Sequence, residues 1–235
     1  MLEINHEQNF RSGRYNLYAF AYGAKPLVLG TDYDAVWTVD PSQFPRKVKL
    51  DWYVPSGPLP NGGGVWGYHH IGYTVPQARQ LKDLDAFVAA FDWSFSGTRN
   101  FNLLAECWLG KTSIPPEWNH KSALWEIGFF LHAADYDFHN GGTAIGLGHI
   151  NSGVLYTCRR NDTFITFAPQ SEADVLIGEI DWKAAFQYLI DNQVLTGREW
   201  LSGQVCLLGI EPTIRLSSES EKGMWNVNII EARYS

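Results

Sequence analysis

The most apolar run in the chain, Leu124-Trp125-Glu126-Ile127-Gly128-Phe129-Phe130-Leu131, carries one carboxylate at its middle. Side chains alternate between faces along an extended strand. Trp125, Ile127, Phe129 and Leu131 therefore share one side, and Leu124, Glu126, Gly128 and Phe130 the other. The same alternation in residues 103–109 sets Leu103, Ala105, Cys107 and Leu109 against Leu104, Glu106 and Trp108. If the two strands pair, Glu106 and Glu126 can fall on one sheet face. A third acid, Glu211, interrupts the apolar run Val205-Cys206-Leu207-Leu208-Gly209-Ile210 and precedes Pro212. Ionised carboxylates are rarely buried without a partner, so each of these either faces solvent or sits in a cleft where its charge is used.

Similar short runs rich in β-branched and aromatic residues occupy 13–23, 36–39, 48–54, 65–73, 86–94, 101–109, 143–147, 153–158, 163–168, 205–210 and 225–230. A turn through Asp40-Pro41-Ser42 and a Pro/Gly-rich loop over 55–64 punctuate them. One stretch breaks the strand pattern. Behind a capping Asp181, residues Trp182, Ala185, Phe186, Leu189 and Ile190 recur at helical spacing, which predicts one amphipathic helix covering the outer face of a sheet. Many short strands without intervening helices predict an all-β antiparallel sandwich or barrel. A length of 235 residues suits one all-β domain or two small ones, and no linker-like stretch divides it, so the expectation is one domain over 1–235.

Composition narrows the partners. Ten tryptophans and 14% aromatic residues exceed what a core needs, so some are expected to line a binding surface. A net charge of -7, with no Lys/Arg cluster to offset it, argues against nucleic acid. No run is long and apolar enough to cross a bilayer, and residues 1–7 lack the basic start and apolar stretch of a secretory signal. A soluble monomer with no membrane partner is the expectation. Cys107, Cys158 and Cys206 are odd in number, far apart and set in apolar runs, which predicts buried free thiols. His132, Asp135, Asp137 and His139, like the pair His69-His70, have metal-ligand residue types at a spacing that fits no standard zinc pattern. The glycine clusters lack the context of a phosphate cradle. No metal or cofactor is expected.

What remains is the acids. Glycoside hydrolysis needs two carboxyl groups in different protonation states, and desolvation with mutual repulsion can separate two neighbouring pKa values. An acid in an apolar strand also fits a solvated structural role, and pattern alone leaves both readings open. The stretch from Gly13 to Ala24 resembles the G-x-Y-x-L-Y-N-N-x-W-G strand of glycoside hydrolase family 12, the β-jelly-roll endoglucanases and xyloglucanases. Residues 125–131 resemble that family's Y-E-I-M-I-W-L, and Gly209-Ile210-Glu211-Pro212 its G-T-E-P. Residues 186–195 are similar to its single helix and exit, and 105–108 to its Y-D-L-F.

The resemblance implies a two-sheet jelly roll and a retaining, endo-acting enzyme on β-1,4-glucan or xyloglucan. Glu126 would be the nucleophile, Glu211 the general acid/base and Glu106 the acid that orients Glu126. Retention implies a carboxyl separation of about 5 to 5.5 Å between the first two. Tyr22, Phe20, Trp66, Trp108 and Phe130 are the candidates for contacting sugar, with ordinary core packing as the competing reading. The family also implies secretion, although no signal is present. Departures from its pattern fall at Ala19 and Phe20 (paired Asn in the family), Tyr22 (a sugar-stacking Trp), Glu106 (Asp) and Gly128 (Met). The last is expected to leave extra room beside the nucleophile. Two rivals remain: a non-catalytic carbohydrate-binding sandwich, and the same chemistry on a different polysaccharide.

Overall fold

The computed structural model of the chain describes residues 1–5, 8–21, 27–56, 65–116, 123–151, 153–212 and 220–235. In chain order its strands are β1 (Leu2–Asn5), β2 (Asn9–Ser12), β3 (Tyr15–Tyr18), β4 (Asp34–Val39), β5 (Val48–Val54), β6 (His69–Thr74), β7 (Arg79–Gln80), β8 (Phe87–Gly97) and β9 (Phe101–Gly110). They continue with β10 (Trp125–His132), β11 (Thr143–Asn151), β12 (Val154–Asn161), β13 (Phe164–Pro169), β14 (Ile177–Asp181), β15 (Trp200–Leu201), β16 (Gln204–Pro212) and β17 (Glu221–Tyr234). A single helical turn, α1 (Asp137–Asn140), and a longer helix, α2 (Trp182–Asp191), complete the set.

Two sheets form. One runs β1-β4-β5-β17-β8-β14; the other runs β11-β12-β13-β10-β9-β16-β6-β3-β2, with β15 joining β9 and β7 joining β15. Within the described residues the pairings are antiparallel except β10 with β13. The alternation anticipated for each strand decides which face is covered. In β5, Val48, Leu50, Trp52 and Val54 are buried and Asp51 is exposed. In β9 and β10, Leu103, Ala105, Cys107, Leu109, Ile127, Phe129 and Leu131 have no exposed surface. These side chains interlock between the sheets as one continuous core, with Trp37 against Trp225 and Phe129 stacked on Phe167. All three cysteines are buried and free.

Helix α2 starts where its sequence indicates. Asp181 accepts the Ala184 amide at 2.9 Å, and Trp182, Ala185, Phe186 and Leu189 are buried while Gln187 and Asp191 face solvent. Its apolar side reaches both sheets, since Trp182 stacks on Phe87 of β8 and meets Phe129 of β10 edge-on. Of the strand expected over 13–23, Gly13 and Arg14 form a turn and, among the described residues, Tyr15–Tyr18 is the part that pairs; 22 and 23 lie outside them. Strands β1, β2 and β14 and the turn α1 are not legible in the pattern, because their apolar residues are few and lie at sheet edges or against a helix cap.

Two bulges redirect side chains in the sheet that holds β9, β10 and β16. On β16, Cys206 pairs with Glu106 and Gly209 with Leu104, so three steps on one strand match two on the other. The extra residue lets Leu207 and Leu208 both enter the core and returns Gly209 and Glu211 to the face that Cys206 occupies. On β10, a bulge at Leu131 turns His132 inward, between Phe95 and Phe101.

Candidate active site

Strand β9 lies between β10 and β16, and the register sets their acids side by side. Gly128 pairs with Glu106, Glu126 with Trp108, and Glu211 with Asn102. Glu106, Glu126 and Glu211 consequently line one cavity of about 330 Å³. Val65, Asn102, Leu104, Phe130 and Phe164 are its other described lining residues. Four of those five are apolar, so water around the carboxylates is replaced by groups that cannot solvate charge.

The electrostatics follow from that enclosure. Burial pushes the Glu106 carboxyl well above the usual carboxylate range; the charges of Glu126 and Glu211 push it the same way, and a hydrogen bond with Tyr68 pulls against them. Glu211 is raised to about 7, chiefly by burial; its bond from Asn102 Nδ2 at 3.4 Å opposes the shift and the charge of Glu126 adds to it. Near neutral pH the trio therefore carries fewer charges than three isolated carboxylates would. Two of its members can hold a proton, as acid/base chemistry between neighbouring carboxyls requires.

Tyr68 backs this arrangement. Its ring lies on bare Gly209, where a Cβ would sit 2.2 Å from the nearest ring carbon, and its hydroxyl donates to Cys206 Sγ at 2.9 Å as well as bonding Glu106. Burial and the neighbouring Glu106 push the Cys206 thiol up, so it stays protonated. His70 packs between Tyr68 and Tyr18, with ring centroids 4.9 and 4.8 Å away. Together they pave the sheet beside Glu106.

The structure treats the anticipated sugar-contacting aromatics unequally. Phe130 lines the cavity, and Trp108 shares its face across from Glu126. Phe20 is 43% exposed and is not among the cavity's described lining residues. Trp66 corrects the expectation: it is 2% exposed and stacks on Tyr33 in the core. Its backbone amide bonds the Pro212 carbonyl at 2.8 Å, which puts the preceding Val65, not the indole, at the cavity. Tyr22 lies outside the described residues.

The room expected beside Gly128 is also not there. A Cβ at Gly128 would meet Phe164 Cε2 at 2.9 Å and Cζ at 3.0 Å, so an aromatic ring from the next strand fills the space. Sequence reasoning misses Phe164 because cross-strand neighbours are set by register, which a single sequence does not display. It misses Asn102 and Tyr68 for the same reason, although Asn102 does fall in the alternating pattern of β9, four residues before Glu106.

His132 is held between Asp174 Oδ1 at 2.7 Å and the Arg99 carbonyl at 3.1 Å, and His139 between the hydroxyls of Thr166 and Thr157 at 2.6 and 2.8 Å.

No protein-family model matches the sequence, and no curated protein matches it. Solved structures do match in shape. Endoglucanase 3 of Trichoderma harzianum, from glycoside hydrolase family 12, superposes with a TM-score of 0.75 at 17% identity over 100% of this chain and 97% of that one. The family 12 xyloglucanase of Bacillus licheniformis gives 0.76 at 14% identity, covering 100% of both chains. A xyloglucanase domain of a type three effector from Sinorhizobium fredii, in complex with cellobiose, gives 0.67 at 13% identity over 97% and 98%. The chain has the jelly-roll fold of the family 12 glycoside hydrolases.

Proposed function

We propose that this chain is a retaining, endo-acting glycoside hydrolase of β-1,4-glucan or xyloglucan. The observation that carries this reading is the meeting of Glu106, Glu126 and Glu211 in one largely apolar cavity. Glu126 attacks the anomeric carbon while protonated Glu211 gives its proton to the leaving oxygen, and a glycosyl ester forms on Glu126. Glu211, now ionised, takes a proton from water as that water attacks the same carbon and releases Glu126. Net retention results from the two inversions. Glu106, kept protonated by burial and by its neighbours' charges, hydrogen-bonds Glu126 and fixes its direction. Half-buried Trp108 offers a face for a sugar ring, while Phe130, 4% exposed, backs the cavity wall.

A binding module could use the same aromatics, but it has no need of three carboxyl groups crowded together at the expense of stability. Release of reducing ends from soluble β-glucan and xyloglucan, with arabinan and xylan alongside, tests the proposal. The wild type is expected to release ends from at least one β-1,4-glucan. Glu211→Gln should lose about 10²- to 10⁴-fold in rate, the usual weight of a general acid/base. Glucan binding without release of ends would overturn the hydrolase reading in favour of the binding module. Release confined to arabinan or xylan would keep the chemistry and move the substrate.

A further inference from the structure

We infer that Phe164 sets the substrate class at the cleavage point, admitting an unbranched β-linked glycan and excluding sugar residues that carry a branch. The inference rests on the glycosidase reading and deepens it.

Backbone pairing brings Phe164 to the site. The β12–β13 hairpin turns through Asp162 and Thr163, with Asp162 at φ 53°, and pairs Asn161 with Phe164. Parallel pairing of β13 with β10 then sets Phe164 beside Glu126 and Thr166 beside Gly128. From there the ring leans over Gly128, where even a methyl group would come within 2.9 Å of it and 3.5 Å of Glu106 Cγ. The aromatic wall thus stands against the backbone that joins the two acids. A side chain on residue 128 would hold the ring off.

The remaining space is small. About 330 Å³ lies at the low end of the roughly 300–1,000 Å³ common for small-molecule sites. Val65, Leu104, Phe130 and Phe164 supply apolar walls, and Asn102 is the one uncharged polar side chain among the described lining residues. Its amide is already engaged: Nδ2 donates to Glu211 and Oδ1 accepts the Ala134 amide at 3.2 Å. An unbranched ring can lay a C–H face on half-buried Phe164 and present few hydroxyls to be satisfied. A branched residue needs more volume than the Phe164 ring leaves and brings extra hydroxyls to the apolar walls, where their desolvation is not repaid.

The test compares kcat/KM on a cello-oligosaccharide and on the same backbone bearing xylosyl branches, for wild type, Phe164→Ala and Phe164→Leu, with thermal melts to confirm folding. The wild type is expected to favour the unbranched substrate. Phe164→Ala should shift the ratio about tenfold or more toward the branched one, mainly through KM, and Phe164→Leu should shift it less in the same direction. Wild-type preference for the branched substrate, or a ratio unmoved in both folded variants, would overturn the assignment while leaving the hydrolase intact. A wild type that cleaves neither would remove the glycosidase reading and this inference with it.

Discussion

Asn102 holds Glu211 below the pKa that burial alone would give it, since its amide bonds the ionised carboxyl better than the neutral one. If Glu211 is the proton donor, activity is lost as pH rises through about 7, where the donor ionises. Removing the amide favours the protonated form, so Asn102→Ala should move the alkaline limb of kcat/KM to higher pH. A limb that stays in place or moves down would show that another group controls it. At this scale the sequence is partly legible. Alternation sets Glu106 and Glu126 each opposite its strand's main apolar face and lets them share a sheet face if the strands pair, and β9 does pair with β10 in that register. Trp66 misleads because an aromatic before a strand looks the same whether the chain turns it into the core or out of it. The space at Gly128 misleads because the residue that fills it, Phe164, comes from another strand.

Elements add what single residues do not explain. Simple alternation along β16 would leave Leu207 on the same face as Glu211, yet Leu207 is in the core and Glu211 at the cavity. The bulge resolves this, and it is invisible in the sequence because two adjacent leucines are equally consistent with a bulge, a buried strand or a helix turn. The helix, in contrast, is legible from cap to end, since its signal is local: a capping carboxylate followed by apolar residues at a 3.6 period. Loss of that cap in Asp181→Ala should cost about 1 kcal/mol, or about 2–4 °C in melting temperature for a chain of this size. Thermal melts read it directly, and glycanase activity at room temperature should be unchanged because α2 has no residue at the cavity. An unchanged melt would mean that packing of Trp182 and Phe186 alone fixes the helix start.

For the whole molecule, buried titratable groups shape stability as a function of pH. Burial lowers His69 to about 3, and His70 and His139 to about 4, so all three are neutral when folded and take up protons on unfolding below about 6.5. That uptake makes stability fall as pH drops from about 6.5. Glu106 and Glu211 have the opposite sign: their folded pKa values are raised, so above about 4.5 unfolding releases their protons and stability falls as pH rises. Three groups outweigh two below about 6.5; above it the carboxyls act, joined with the same sign at alkaline pH by the buried thiols Cys107, Cys158 and Cys206, which puts the expected maximum near pH 6.5. Melting temperatures across the pH range check this, and Glu211→Gln should flatten the alkaline decline.

The proposed covalent step on Glu126 is what joins fold, cavity and chemistry. Treating the protein with a fluorosugar inhibitor bearing an activated leaving group, then mapping the adduct by peptide mass spectrometry, tests it most directly. One sugar attached at Glu126, and none formed in Glu126→Gln, is the expected result. An adduct on Glu211 or Glu106, or turnover of natural substrate with inversion and no adduct, would contradict it.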